Sequence, residues 1–304
     1  MGSAYPTIIV RYDQYEVDLE KKMLHVYLGT QHYRATLSLP FKGRLKWLTK
    51  NAKKGRLVVK YNIAKRRWYA YIASSTSLTT KRQQLLVAAG IDLGQKIVVV
   101  AVTQHGKALL YRGGVLKSAY YYFEKRITAL DKMIDKTEEA DKAALREERR
   151  RLYERRKKRR DQTFTNLARH LAEEFKKHGV NVVFIGFPRY IAHDKAGKQN
   201  TNMWSYHKLI QRLSTTLENH GIVAFAVDER FSSRKCAFCL CSAERKTRGL
   251  LRCPHGHTLH ADVNAALNHL RRGLKALGLE AMPQHIHVES YVPAPSRIIP
   301  VTPH

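Results

Sequence analysis

The 304-residue chain carries 55 Lys and Arg against 25 Asp and Glu, a formal net charge of +30. So basic a surface calls for polyanions, nucleic acid first. No run of about 18 apolar residues and no charged-then-apolar leader is present, so membrane-spanning and secreted readings are set aside and an intracellular protein is expected. Four Cys in a chain of this length argue for a reducing compartment rather than a disulfide scaffold. With 44% hydrophobic residues the chain has material for about two domains.

Residues 1–85 read as a small β-barrel or sandwich. YEVDLEKKMLHVYL, YRATLSLP, GRLVVKYNI and RWYAYIA are short alternating runs separated by turn-forming residues. Lys60-Tyr61-Asn62 and Arg66-Arg67-Trp68-Tyr69 interleave cations with rings. Such a pattern either grips a nucleic-acid backbone while bases stack, or reflects half-buried cross-strand pairs. A linker, TSLTTKRQQ, follows at 76–84.

A different architecture starts near residue 87. VAAGIDLGQKIVVVAVTQHG is strand, tight turn and strand, with Asp92 inside an apolar run. A buried carboxylate needs hydrogen-bond partners or a cation. Residues 117–178 predict a long helical hairpin with ten basic against three acidic residues between Arg146 and Arg160. That excess exceeds what i,i+4 pairing neutralises, so Arg149, Arg150, Arg155, Arg156, Lys157, Arg159 and Arg160 are candidate phosphate contacts. VNVVFIGFP and GIVAFAVDERFSS are apolar strands flanking the amphipathic helix NMWSYHKLIQRLSTTLENHG. Strands separated by helices pair in parallel, which predicts an α/β mixed sheet across 86–231 and 259–275.

Between those two parts, residues 232–258 carry metal-ligand spacing. Cys236 and Cys239 form a C-x-x-C knuckle, and Cys253 returns with His255 and His257 close behind, a set that suits tetrahedral Zn²⁺. Asp262 then opens a helical pattern, ADVNAALN. Asp92, the pair Asp228 and Glu229, and Asp262 all fall at ends or turns of the predicted sheet, as two-metal phosphodiester hydrolysis requires. Because strand neighbours point to opposite faces, only one of Asp228 and Glu229 can face such a site. Residues 276–304, rich in Pro, His and Val, read as a flexible or extended tail.

GIDLG, the basic helical hairpin, the apolar strand, Ser-Ser-x-x-Cys-x-x-Cys and ADVNAALN, in that order, resemble the RuvC nuclease region of TnpB (OrfB) proteins. These are transposon-encoded relatives of type V CRISPR effectors and of eukaryotic Fanzor proteins. Residues 5–75 are similar to that family's wedge β-barrel. The resemblance implies an RNase H-like sheet with an inserted helical hairpin, and an RNA-guided DNA endonuclease. It also implies two Mg²⁺ or Mn²⁺ ions held by Asp, Glu and Asp, structural Zn²⁺, a guide RNA and a target DNA as partners, and a monomer. By position Asp92 and Asp262 match the first and last acids.

The chain departs from that pattern in three places. The family's Glu sits at the end of the middle strand, where this chain has Gly186; Glu229 on the next strand fits the relocated Glu of some relatives, with Asp228 its competitor. Cys253-Pro254-His255-Gly256 stands where the family has a second C-x-x-C-G, which makes His255 the fourth zinc ligand and His257 the second choice. Neither the first wedge segment nor the helical recognition domain is visible, implying an amino-terminally reduced member. The expected function is metal-dependent DNA cleavage by Asp92, Glu229 and Asp262. The alternative is an RNA-guided DNA-binding protein that has lost cleavage.

Overall fold

The computed structural model describes residues 7–29, 35–43, 53–62, 66–75, 86–187, 205–228, 234–247 and 249–302. The chain divides into two compact units, Met1–Lys81 and Arg82–His304. The linker expected at 76–84 lies outside the described residues.

In the first unit β1 (Ile8–Val10), β2 (Tyr15–Asp18), β3 (Met23–Leu28), β4 (Ala35–Pro40), β5 (Lys53–Asn62) and β6 (Arg67–Ser75) form two antiparallel three-stranded sheets, β1-β5-β6 and β2-β3-β4. Among the described residues no ladder joins the two sheets into a closed barrel. Val10, Tyr15, Leu24, Val26 and Leu57 fill the core, and the Tyr15 hydroxyl donates to the Gly55 carbonyl at 2.8 Å. Tyr61 stands opposite Trp68 across β5 and β6 with ring centroids 5.2 Å apart. The rings therefore form a cross-strand pair, although Trp68 stays 52% exposed.

The second unit is built on β7 (Ala88–Asp92), β8 (Ile97–Thr103) and β9 (Lys107–Arg112), an antiparallel meander. The hairpin α1 (Gly114–Lys136) and α2 (Lys142–Lys177) follows, then β10 (Val182–Phe187), α3 (Tyr206–Asn219) and β11 (Val223–Asp228). A small three-stranded sheet of β12 (Glu244–Thr247), β13 (Leu250–Arg252) and β14 (Thr258–His260) leads into α4 (Ala261–Ala276), and β15 (His287–Pro293) and β16 (Ile298–Val301) end the described chain. The main sheet runs β11-β10-β7-β8-β9-β15-β16, with β10 parallel to β7 and β11 parallel to β10.

The tail expected at 276–304 is ordered over its described part, which ends at residue 302. β15 pairs in parallel with β9 and turns back antiparallel into β16. Tyr291 stacks on Tyr111 at 5.6 Å, Glu289 pairs with Lys107, and the Asn166 amide donates to the carbonyls of Ala294 and Pro295. The sequence hides these strands because His, Glu, Ser and Pro break their apolar alternation. They form because β9 otherwise ends the sheet with an unpaired row of backbone donors and acceptors.

Strand alternation divides the core. Ala89 and Ile91 on β7 pack with Leu167, Leu171 and Phe175 of α2 and with Leu209 and Leu213 of α3. Ala88 faces α4 with Phe184 of β10, Leu270 and Leu274. Helix α4 lies so close that a Cβ on Gly90 would come within 2.6 Å of the Leu270 backbone nitrogen and nearer still to the Ala266 carbonyl. Glycine is what admits the helix there. Among the described residues no helix is long and apolar enough to cross a membrane.

Gly90→Ala forces one methyl against backbone that cannot rotate away, so it should lower stability by about 1–3 kcal/mol. Denaturant unfolding should show this as a reduced midpoint, while Ala88→Gly on the same strand leaves no such clash.

Candidate active site and metal-binding knuckle

Asp92 ends β7 on the α4 face and is buried. Asp262 lies in the first turn of α4, where His260 caps the helix by accepting the Asp262 backbone N–H at 3.3 Å. A carboxylate at a helix N-terminus is favoured by the helix dipole. Burial raises the Asp262 carboxyl above its ordinary range, and the nearby negative charge of Asp92 raises it further. A cation beside these two acids, distant in sequence, would relieve the cost of ionising Asp262.

The third group facing Asp92 is His269. It is fully buried on α4, with Nε2 3.4 Å from Asp92 Oδ1. Among the described residues its Nδ1 is the buried side-chain nitrogen or oxygen with no hydrogen-bond partner. The ring lies against Gly186 on β10, where a Cβ would meet Cε1 at 2.7 Å and Cδ2 at 2.8 Å. The missing carboxylate of the middle strand is thus replaced in space by an imidazole. The signal in the sequence is one His in the apolar helix face that includes Ala266, Leu270 and Leu274.

Asp228 pairs with Phe187 at the end of β11. Val227 packs with the α4 cluster and Ala224 with the opposite core, so alternation turns the Asp228 side chain away from α4. Its carbonyl accepts from Arg272. Glu229 lies outside the described residues.

The knuckle is made of two tight loops. In one, Cys236 N donates to Cys241 O and Leu240 N to Cys236 O, both at 2.9 Å; in the other, Cys253 N donates to His257 O and Gly256 N to Cys253 O, both at 3.0 Å. Two overlapping ligand sets result: Cys236, Cys239, Cys253 and His257, and Cys239, Cys241, Cys253 and His255. The expected combination of Cys236, Cys239 and Cys253 with His255 is neither of them. Tetrahedral zinc places its sulfurs about 3.8 Å apart and S and N about 3.5 Å apart. Cys239 and Cys253 lie 3.7 Å apart, and His257 Nδ1 stands 3.6 Å from Cys236 and 3.3 Å from Cys253. The Cys239–Cys241 separation of 2.9 Å is too short for two ligands of one such ion. A Cys₃His cluster able to bind zinc is therefore present.

The two amides of ADVNAALN hold this knuckle. Asn264 accepts from Ala237 N and donates to Lys235 O, both at 2.8 Å, and Asn268 donates to the same Lys235 carbonyl at 2.8 Å. Arg271 adds bonds to the carbonyls of Ala237 and Phe238. One helix thus holds the metal loop with one face and completes the acidic pocket with another.

On α2 the seven candidate phosphate contacts divide. Arg149 pairs with Asp131 at 2.8 Å, Arg150 with Glu147 at 2.6 Å, Arg160 with Asp161 at 2.8 Å, and Arg156 pairs with Glu124 while lying over the Tyr120 and Tyr153 rings. Arg155, Lys157 and Arg159, with Lys158, are exposed and have no ion pair among the described residues. Arg149 and Arg156 tie α2 to α1, and Arg150 and Arg160 pair within α2; the second group is free for an external anion.

Residues 69–192 match the family OrfB_IS605, described as a probable transposase, and residues 206–269 match the Cas12f1-like TNB domain. The chain is 32% identical over 290 residues to the TnpB-like protein ORF457 of Acidianus two-tailed virus, covering 88% of this chain. It spans 61% of that relative's length. Solved structures similar to it include a Cas12f1–sgRNA–target DNA complex (TM-score 0.47, 16% identity, 90% of this chain and 69% of that one). A CRISPR-Cas12f ternary complex gives a TM-score of 0.48 at 16% identity, with 87% of this chain and 59% of that one covered.

The raised Asp262 carboxyl fixes the sign of one pH effect. The folded protein binds that proton more tightly than the unfolded chain, so stability falls as pH rises from the ordinary value near 3.8 through the raised one. Asp262→Asn removes the cost: without added divalent cation it should be more stable than the parent at pH 7, with the gap closing toward pH 4. Unfolding midpoints across that range measure it.

Proposed function

The chain is a relative of the TnpB and OrfB proteins, and from that premise we propose that it is an RNA-guided DNA endonuclease working through a RuvC-like site. The observation that carries this reading is that the buried Asp92 at the end of β7 lies close enough to the half-buried Asp262 of α4 for its charge to raise the Asp262 carboxyl. A structural role gives no reason to place Asp262 where burial and the charge of Asp92 make it harder to ionise. The strand order, an antiparallel meander followed by two parallel strands, supports an RNase H-like assignment. Residues 86–231 and 259–275 would form that domain, with a knuckle at 232–258 and a wedge-like domain at 1–85.

Glu229 would supply the third carboxylate, since Gly186 cannot and the Asp228 side chain turns away from α4. Two divalent ions, Mg²⁺ or Mn²⁺, would activate the attacking water and stabilise the leaving oxygen when bound. Asp92 and Asp262 hold the negative charge that such ions require. The exposed cations Arg155, Lys157 and Arg159 would bind phosphates of the guide RNA or target DNA, giving salt-dependent affinity without reading sequence.

Cys236, Cys239, Cys253 and His257 would hold structural Zn²⁺, with His257 in place of His255. The thiols of Cys253 and then Cys239 raise the His257 imidazole above its ordinary range, while burial pushes the Cys236 thiol up. Zinc content should fall in His257→Ala and remain near one per chain in His255→Ala and Cys241→Ala, as read by metal analysis after dialysis.

The nuclease reading is tested with protein copurified with its RNA. Mg²⁺-dependent cleavage of labelled DNA should be lost in both Asp92→Ala and Glu229→Ala, by at least about 10³-fold, while RNA binding persists. Gly186 favours a second reading, a guided binder without cleavage. Metal-independent DNA binding and no cutting by the parent chain would establish that alternative.

A further inference from the structure

We propose that His269 is a positioning residue for Asp92: its Nε2–H donates to Oδ1 and turns Oδ2 toward the divalent cation. The inference rests on the reading of Asp92 as a metal-site carboxylate.

Three observations meet on this side chain. His269 is fully buried, so it makes no contact with water, and its Nε2 stands 3.4 Å from Asp92 Oδ1. Its Nδ1 has no partner. A neutral imidazole has one N–H, and with the proton on Nδ1 the Nε2 lone pair would face carboxylate lone pairs while a buried donor went unused. The proton therefore belongs on Nε2, where it makes a charge-assisted bond and leaves only an acceptor unpaired. Finally, Gly186 is what lets the ring stand there, since any side chain at 186 would occupy the same space.

The arrangement explains the position of a polar ring in an apolar face. Leaving a polar atom unpaired in a core costs about 1–3 kcal/mol, and packing alone would be served better by Leu or Ile. The second nitrogen gives the site what a carboxylate ligand requires of its surroundings: a donor that fixes the free rotamer of Asp92. It does so without placing a further negative charge directly against Asp92.

The test is Mn²⁺ binding to the zinc-loaded full chain, followed by loss of the free-ion electron paramagnetic resonance signal. His269→Leu, similar in bulk but without a donor, should weaken Mn²⁺ binding by about 10–100-fold. His269→Gln, whose amide nitrogen can donate from a similar place, should recover most of it. Gly186→Ala, which pushes on the ring and leaves His269 in place, should weaken Mn²⁺ as well and serves if His269→Leu does not fold. Unchanged Mn²⁺ affinity in either variant overturns the proposal. So does a nitrogen echo modulation from a coordinated imidazole in the parent that His269→Gln lacks, since His269 would then be a ligand itself. Asp92→Asn separates the two levels: if it binds Mn²⁺ like the parent, the site reading fails. If it abolishes binding and His269→Leu does not, only the positioning role fails.

Discussion

The close approach of α4 to β7 and β10 is the constraint on which the second unit depends. At Gly90 and at Gly186 the helix occupies the volume a Cβ would take. Bringing helix and strands this close places Asp262, from the first turn of α4, and His269, two turns further on, beside the end of β7 where Asp92 stands. Larger residues at the two glycines would hold the helix off and separate the acids. Packing density and site chemistry are therefore the same contact seen from two sides.

The same helix ties the metal knuckle to the pocket. Asn264, Asn268 and Arg271 bind the backbone of 235–238, so an ordered Cys₃His cluster and an ordered α4 support each other. A short polar loop with few apolar side chains has no core of its own, and a bound ion supplies the missing cohesion. On the other face of the sheet, α2 spends part of its charge internally. Pairs from Arg149 to Asp131 and from Arg156 to Glu124 tie α2 to α1 and leave Arg155, Lys157 and Arg159 exposed, with Arg155 and Arg159 on one side of the helix and Lys157 on another.

The elements that were legible in the sequence are those with a strong local period or a fixed spacing. The meander from residue 87, the helical hairpin and the helix opened by Asp262 all came from apolar runs, charge and cap signals. The Cys knuckle came from spacing alone, yet spacing left His255 and His257 two residues apart and equally placed. Only the turn closed by Cys253 N and His257 O brings His257 to the sulfurs. β15 and β16 were missed because a strand on the flank of a sheet needs no clean alternation when its neighbour supplies the ladder. Asn264 and Asn268 could be placed on the helix but not assigned, since an amide reads the same whether it faces a cleft or clasps a loop.

By itself the sequence determined the charge, the order of most elements, Asp92 and Asp262 as candidate site acids, and a cysteine loop suited to zinc. These follow from composition and near-neighbour spacing, which chain connectivity preserves. The tertiary structure alone decided that His269 fills the space beside Gly186 and that His257 as well as His255 reaches the cysteines. It also decided that the last strands extend the sheet. Each depends on which atoms come within bonding distance after segments far apart in sequence have packed, and no local pattern encodes that distance.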